Sequence, residues 1–288
     1  MTPGRAGEAH DRRVLRIALT ALLPFALVIT ALFGAPIGRT LARSVLEPSF
    51  GVDNFTTVLA DPLAQQVFWT TLRITIAVTV ASILLGYPVA SFTASCSPLT
   101  RNIIFALVLV PFWTSLLVRI YGWTFILQRT GPLNELLVAA GVVPRPLKLL
   151  YTEGAVVLGI THYMLPFMIF PLYAAIRSID PRLTSVAATL GARPLRIFLT
   201  VTLPLTMPGL TAGSVFVFIG SLGFFVTPAL LGSPSEMMMA NLITFQVKEA
   251  LDWPIAATIA ALLVFAVAML GWIYFRLLDR RSGKTLFP

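Results

Sequence analysis

The stretch Ser185-Val-Ala-Ala-Thr-Leu-Gly-Ala-Arg-Pro-Leu-Arg-Ile-Phe-Leu-Thr-Val-Thr-Leu-Pro204 is basic and helix-forming, and it lies between two long apolar runs. Just ahead of it, Asp180 is suited to cap a helix N-terminus and Pro181 to open that helix. Gly191 can adopt the left-handed conformation that ends a helix, and Pro194 can start the next one. The segment therefore predicts two short helices joined by a glycine turn, which together form a rigid projection.

The remainder of the 288-residue chain is strongly apolar, with 57% hydrophobic and 11% charged residues. This exceeds the apolar content of ordinary soluble domains. A bilayer core about 30 Å thick requires roughly 20 apolar residues per helix. Six such stretches predict an all-α integral membrane protein, with transmembrane helices over residues 15–36, 68–94, 103–127, 154–177, 208–232 and 254–277. We expect a cytoplasmic tail at 1–13 and a single membrane domain at 14–288.

The basic residues predict the orientation of these helices. With the N-terminus inside, most of the 21 lysines and arginines fall on the cytoplasmic side, namely Arg5, Arg12, Arg13, Arg16, Arg101, Arg177, Arg182, Arg193, Arg196, Arg276, Arg280, Arg281 and Lys284. Cytoplasmic loops of membrane proteins carry such an excess. Both termini and the segment of about 180–204 are therefore expected in the cytoplasm.

The net charge of +9 is spread over many short loops, so the chain does not have the single basic domain of a nucleic-acid-binding protein. Arg193 and Arg196 can face the acidic rim of a protein partner or lipid phosphates. The composition of their segment is equally compatible with a helix pair that lies on anionic membrane lipid.

The spacing of the segment resembles the loop by which membrane subunits of ABC importers bind their ATPase. That loop reads Glu-Ala-Ala, three residues, Gly, nine residues, Ile, one residue, Leu-Pro, and here Ser185 replaces its glutamate. The other matching or conservative positions are Val186, Ala187, Gly191, Val201, Leu203 and Pro204. The resemblance implies that these residues, with Arg193 and Arg196, dock onto a separate ATPase subunit, which uses the ATP and Mg. This chain itself would bind no cofactor.

Three further segments resemble the spermidine/putrescine-type permeases. They are Pro111–Trp123 followed by Gly131–Asn134, Leu165–Tyr173, and Phe225–Gly232. This resemblance implies a type I, MetI-like permease bundle in a bacterial inner membrane, and a path for a polyamine or a polyamine-like solute. Its implied partners are a second permease, two ATPase subunits and a periplasmic solute-binding protein. Opines, phosphonates, iron complexes and thiamine are alternative solutes.

No acidic residue falls inside the six predicted spans, so aromatic faces are the main groups available to a cationic solute. Candidate path residues are Phe112, Trp113, Tyr121, Trp123, His162 and Phe225. An ionisable residue such as His162 within a span is a functional candidate by default, and a neutral histidine hydrogen-bonded between helices is the alternative. Arg73 and Arg119 are expected to extend from the outer parts of their spans toward the interface.

The fourth and fifth spans are predicted to bend. Pro166 and Pro171 in the fourth, and Gly223 and Pro228 in the fifth, weaken or remove intrahelical hydrogen bonds. Bent spans suit a path that opens alternately to each side of the membrane, whereas a static kinked bundle is the simpler alternative.

The chain offers little for enzyme chemistry. His10 and His162 are its only histidines, so neither a zinc-binding pair nor a Ser/His/Asp set can be assembled. Gly283-Lys284-Thr285 resembles the end of a phosphate-binding loop, but Leu278 stands where the first glycine is needed. We expect no catalytic or metal site. Two functions remain as alternatives to an importer subunit. An ion-coupled transporter would need carboxylates inside its membrane spans. The other alternative is a membrane scaffold.

Overall fold

The computed structural model describes residues 20, 22–25, 27–47 and 50–282. Within these residues every regular element is a helix, which confirms the all-α prediction. The expected tail at 1–13, the beginning of the first predicted span and Gly283–Thr285 lie outside the described residues.

The described chain forms twelve α-helical segments, several of which contain or adjoin a π or 3₁₀ turn. They are α1 (Leu22–Leu46), α2 (Asp53–Ala60), α3 (Pro62–Ser95), α4 (Pro98–Trp113), α5 (Leu116–Leu127), α6 (Pro132–Ala139), α7 (Glu153–Arg177), α8 (Pro181–Thr189), α9 (Pro194–Leu222), α10 (Val226–Leu231), α11 (Met239–Lys248) and α12 (Trp253–Ser282).

Five of these helices are long and apolar enough to cross a membrane, namely α1, α3, α7, α9 and α12. A sixth candidate span consists of α4 followed by Leu116–Ala139, and these two parts meet at an angle of 100°. The described residues thus contain up to six spans, as the apolar stretches predict.

The third predicted span, over 103–127, is wrong as a continuous helix. Thr114 and Ser115 adopt extended backbone between α4 and α5. Pro111 cannot donate to the helix ladder, and the Thr114 hydroxyl donates to the Pro111 carbonyl at 3.0 Å. This local bond competes with continued helix formation.

The fifth predicted span, over 208–232, is displaced and interrupted. Its helix α9 begins at Pro194 and ends at Leu222, and the chain resumes as the short α10 after Gly223, Phe224 and Phe225. Pro228 lacks the N–H that would bond to residue 224 if the helix continued. The segment therefore breaks where glycine and proline coincide.

Helix α7 is the centre of the bundle and packs between α3 and α9. Its Ile160, Met168 and Leu172 are fully buried. Glycines let the neighbouring helices approach closely. A Cβ added at Gly86 would lie 2.8 Å from Met168 Cγ, and one at Gly209 would lie 2.5 Å from the carbonyl oxygen of Pro171.

A smaller apolar cluster joins α2, the start of α3, α11 and α12, and includes Val58, Val67 and Ile259. Thr71 links α3 to α11, because its hydroxyl accepts a hydrogen bond from the Met239 backbone N–H at 2.9 Å. The side chains at the outer surface of the bundle are also apolar. Phe25, Leu84, Leu107 and Phe265 are each about two-thirds exposed, as expected of helices that face lipid or other membrane subunits.

The segment Gly131–Asn134 has a structural role. Asn134 is fully buried, and its amide bonds to the Gln128 carbonyl and to both the N–H and the carbonyl of Leu147 at 2.8–3.1 Å. A Cβ at Gly131 would lie 2.5 Å from the Phe125 carbonyl oxygen. These contacts fix the connection between α5 and α7.

Candidate functional site

The first candidate site is the loop around α8. The Asp180 carboxylate accepts from the Arg182 N–H at 2.9 Å and caps the helix. At the other end, Gly191 has φ of +80°. Gly191 and Ala192 donate their N–H groups to the Ala188 and Ala187 carbonyls at 3.0 and 3.1 Å, which is a Schellman termination. The predicted capped helix and glycine turn are confirmed.

The second short helix of the prediction is wrong in extent. Pro194 does open a helix, but it continues through a π turn at Phe198–Thr202 into the long α9. A π turn inserted in a helix keeps the hydrogen-bonded ladder running. The loop is therefore joined to the bundle through one continuous helix, and Arg193 and Arg196 lie at its exposed start.

The base of α9 is fixed to α3. The Tyr87 ring lies edge-on to Phe198, with ring centroids 5.5 Å apart. The Tyr87 hydroxyl is 2.9 Å from the hydroxyl of buried Thr206. These two contacts link the start of α9, next to the loop, to α3.

None of the residues of α8 is buried by the described part of the chain. Leu183 and Val186 are about half exposed, and Leu190 just beyond the helix is 82% exposed. Apolar side chains on an uncovered projection are suited to contact with another protein. The Ser185 hydroxyl donates to the Pro181 carbonyl at 3.1 Å within the same helix, so Ser185 does not link the loop to the bundle.

The predicted loop residues occupy three places. Ser185, Val186 and Ala187 lie on α8, and Gly191 forms the turn. Val201 lies in the π turn, with Leu203 and Pro204 immediately after it on α9. Only the first part of the spacing pattern is therefore on the projection, and the last part forms the lower end of a bundle helix.

The second candidate site is an aromatic cluster made of Phe112, Tyr163, Phe167 and Phe224. Phe112 stacks on Tyr163 with centroids 5.1 Å apart and lies 5.4 Å from Phe167. Tyr163 also meets Phe224 edge-on at 5.5 Å. The cluster joins the break after α4 to the break after α9 across the face of α7.

The expectation that Arg119 extends to the interface is wrong. Its Nη2 donates to the carbonyls of Pro111 and Thr114, the latter at 3.1 Å. Its Cζ lies 5.0 Å from the Tyr163 ring centroid. The bend between α4 and α5 turns the side chain inward onto the aromatic cluster. Arg73, in contrast, pairs with Glu153 at the start of α7, with Nη2 and Oε2 2.8 Å apart.

His162 is hydrogen-bonded between helices, as one of the two interpretations of the sequence predicts. Its Nδ1 accepts from Trp123 Nε1 at 3.2 Å, which links α5 to α7. A ring nitrogen that accepts is unprotonated. His162 and Trp123 thus form a structural contact next to the aromatic cluster.

The remaining predicted path residues lie apart. Trp113 is 88% and Tyr121 63% exposed on α4 and α5. Phe225 follows the α9 break, and its carbonyl accepts from Asn241 Nδ2 at 2.9 Å. Tyr163, Phe167 and Phe224 belong to the aromatic cluster but are not among the residues predicted from the sequence. Tyr163 and Phe167 are four residues apart on the fourth span, and this spacing is the signal that could have identified them.

Within the described part of the chain, no group of three or more histidine, cysteine, aspartate or glutamate side chains could hold a metal ion.

Comparison with known proteins agrees with this architecture. Residues 82–284 match the family described as "Binding-protein-dependent transport system inner membrane component". The spermidine/putrescine transport system permease protein PotB of Escherichia coli (strain K12) is 36% identical over 233 residues, which cover 81% of this chain and 84% of PotB. The PotB of Haemophilus influenzae is 37% identical, with 80% and 81% covered.

Solved structures show the same fold. A crystal structure of a bacterial alginate ABC transporter in complex with an alginate-bound periplasmic protein matches with a TM-score of 0.76, at 20% identity, over 98% of this chain and 99% of that one. The MetNI methionine ABC transporter in an inward-facing conformation matches with a TM-score of 0.56 at 20% identity, over 77% and 96% of the two chains.

Proposed function

Because this chain belongs to the family of binding-protein-dependent transport system inner membrane components, we propose that it forms the translocation path of a polyamine importer for spermidine and putrescine. The observation that carries this proposal is the similarity to PotB proteins over four-fifths of both chains. The aromatic cluster supports it, because aromatic faces attract ammonium groups without a fixed carboxylate.

The transporter assembly would contain a second permease, two ATPase subunits and a periplasmic solute-binding protein. ATP and Mg would act on the ATPase subunits. The exposure of α8 supports docking of an ATPase subunit, because the apolar side chains on this helix and just beyond it are not covered by the described part of the chain. A capturing protein outside the membrane would select the solute, so the path itself can bind it weakly.

Force from the ATPase would enter at α8 and reach the bundle through the Gly191 turn and α9. Helix α9 packs on α7 through glycines with no room for side chains, as at Gly209 and Gly213. Movement of α9 would therefore shift α7 and the helix breaks beside Phe224 and Thr114. This sequence of contacts is our proposal for how ATP hydrolysis changes the side to which the path opens.

Uptake measurements test the solute. We would compare the uptake of labelled putrescine and spermidine in cells with the gene, without it, and complemented, with an energy-depleted control. The proposal predicts that saturable, energy-dependent uptake is lost on deletion and restored by complementation. The host must lack other polyamine importers, and unchanged uptake in such a host would contradict the polyamine assignment.

A further inference from the structure

At the break after α4, the carbonyls of buried Pro111 and exposed Thr114 are directed at one side chain of α5. The last carbonyls of a helix lack intrahelical donors and carry partial negative charge. At this end of α4 the carbonyls of Pro111 and of Thr114, the residue after the helix, both accept from one guanidinium nitrogen, Nη2 of Arg119. The Pro111 carbonyl also accepts from the Thr114 hydroxyl. The 100° bend that follows prevents α5 from covering them with its own N–H groups.

A second kind of cation ligand lies at the same place. The Tyr163 ring faces the Arg119 guanidinium at 5.0 Å, within the range of a cation–π contact. Phe112 and Phe224 hold this ring from two other directions, with centroids 5.1 and 5.5 Å away. The carbonyl end of α4 and a fixed aromatic face thus converge on a single position that attracts positive charge.

In this position Arg119 leaves two of its guanidinium nitrogens without a hydrogen-bond acceptor among the described residues. Its Nε and Nη1 are buried and have no hydrogen-bond partner among the described residues. A buried donor without a partner is costly. The free energy gained by Arg119 in this position is therefore reduced. Moving Arg119 out of it costs less free energy than moving an arginine whose donors are all hydrogen-bonded.

A primary ammonium group fits this position well. It is compact and carries three donors, so it can bond both carbonyls while it lies against the Tyr163 ring. Helix C-termini and unwound backbone carbonyls are the cation ligands that transporters with broken helices use. No carboxylate is required, in keeping with the absence of acidic residues from the six spans predicted from the sequence.

We propose that the Pro111 and Thr114 carbonyls and the Tyr163 ring form an alkylammonium subsite on the path, which Arg119 occupies as an internal cation and leaves when a solute amine enters. The subsite rests on the proposed function of polyamine import. It gives the path a position for one amine of the solute and makes Arg119 the competitor of that amine.

Equilibrium dialysis of labelled putrescine against the purified permease–ATPase complex, without binding protein, tests this subsite. Arg119→Gln removes the competing cation and is expected to lower the Kd about fivefold, and Tyr163→Leu to raise it about tenfold. Arg119→Lys keeps a charge, Tyr163→Phe keeps a ring, and Arg73→Gln removes a distant charge. Arg73→Gln is expected to stay within about twofold of the unmodified complex, whereas Arg119→Lys and Tyr163→Phe are expected to shift the Kd less than Arg119→Gln and Tyr163→Leu, respectively. Excess 1,4-butanediol, which has the same length and no charge, should not compete.

An unchanged or raised Kd in an intact Arg119→Gln complex would overturn the proposal, as would equal affinities for Tyr163→Leu and Tyr163→Phe. If Arg119→Gln does not assemble, the two Tyr163 variants decide, because both leave the bonds of Arg119 to α4 in place. Energy-dependent uptake by the unmodified system is measured in parallel. Its absence refutes polyamine import itself, whereas normal uptake with indifferent variants refutes only the subsite.

Discussion

Gly191 and Ser185 show how differently two residues of one loop contribute to it. Gly191 has φ of +80°, a conformation that costs a residue with a side chain about 1–2 kcal/mol. Ser185 is exposed, and its hydroxyl donates to the Pro181 carbonyl of its own helix. The turn, rather than the hydroxyl that replaces the glutamate of similar loops, sets the direction of α8.

We predict that Gly191→Val reduces copurification of the ATPase subunit severalfold, because a β-branched residue strains the turn and redirects α8. Ser185→Ala is the matched control and should leave copurification unchanged. Equal ATPase recovery with both variants at equal permease levels would contradict this prediction.

Glu236 provides a pH-dependent contribution to stability. Burial alone would raise the pKa of its carboxyl group, but hydrogen bonds from Ser233 and Ser235 outweigh burial and hold the pKa below its ordinary value. A lowered pKa stabilises the fold above the pKa of the unfolded chain, and this contribution is lost as the pH falls through the folded pKa. The melting temperature of the unmodified protein should therefore fall more between neutral pH and pH of about 4 than that of Glu236→Gln. Parallel curves for the two proteins would refute this.

At the scale of elements, the sequence predicts those helices whose length and ends are set by residues within the segment itself. The apolar runs and the Asp180, Gly191 and Pro194 signals correctly give α3, α7, α8 and α12, because length, caps and turns are encoded locally. The sequence does not predict the break at Thr114, since an apolar run continues through it. The position of Arg119 was missed because it depends on the 100° bend and on Tyr163 of another helix.

Close packing of α9 on α7 predicts a sharp difference between two glycines. A Cβ at Gly209 would lie 2.5 Å from the backbone oxygen of Pro171, whereas nothing lies within 4 Å of one at Gly271 on α12. Gly209→Ala should destabilise the protein by about 1–3 kcal/mol, and Gly271→Ala should be neutral or stabilising by up to about 1 kcal/mol. Thermal unfolding of each variant in detergent, with the amount of monodisperse protein that remains as the readout, checks both predictions. A Gly209→Ala protein as stable as the original would contradict this prediction, because it would show that α9 and α7 can move apart at little cost to admit the added methyl group.

At the scale of the whole molecule, one projection, one continuous helix and two helix breaks form a connected series of contacts from the loop around α8 to the aromatic cluster. This arrangement requires α8 to lie on the cytoplasmic side, as the distribution of arginines predicts. Leu195 is 69% exposed beside Arg193 and Arg196, so a cysteine placed there reports the side on which the loop lies.

We predict that Leu195→Cys, in a Cys96→Ser background, reacts with a membrane-impermeant maleimide only after cells are opened. A cysteine at exposed Phe50, in the connection between α1 and α2, should react in intact cells. The reverse pattern would show that the orientation is inverted and that α8 cannot meet a cytoplasmic ATPase.

Photocrosslinking from α8 tests the central claim, that this helix is where an ATPase acts on the permease. A photoreactive residue would replace Val186, and a second one would replace Phe265 on α12 as a control of similar exposure, 57% and 67% respectively. The account predicts a crosslinked product at 186 that mass spectrometry identifies as an ATP-binding subunit, and none with that subunit at 265. Lack of an ATPase adduct at 186 in an actively transporting membrane, or equal adducts at both positions, would contradict it.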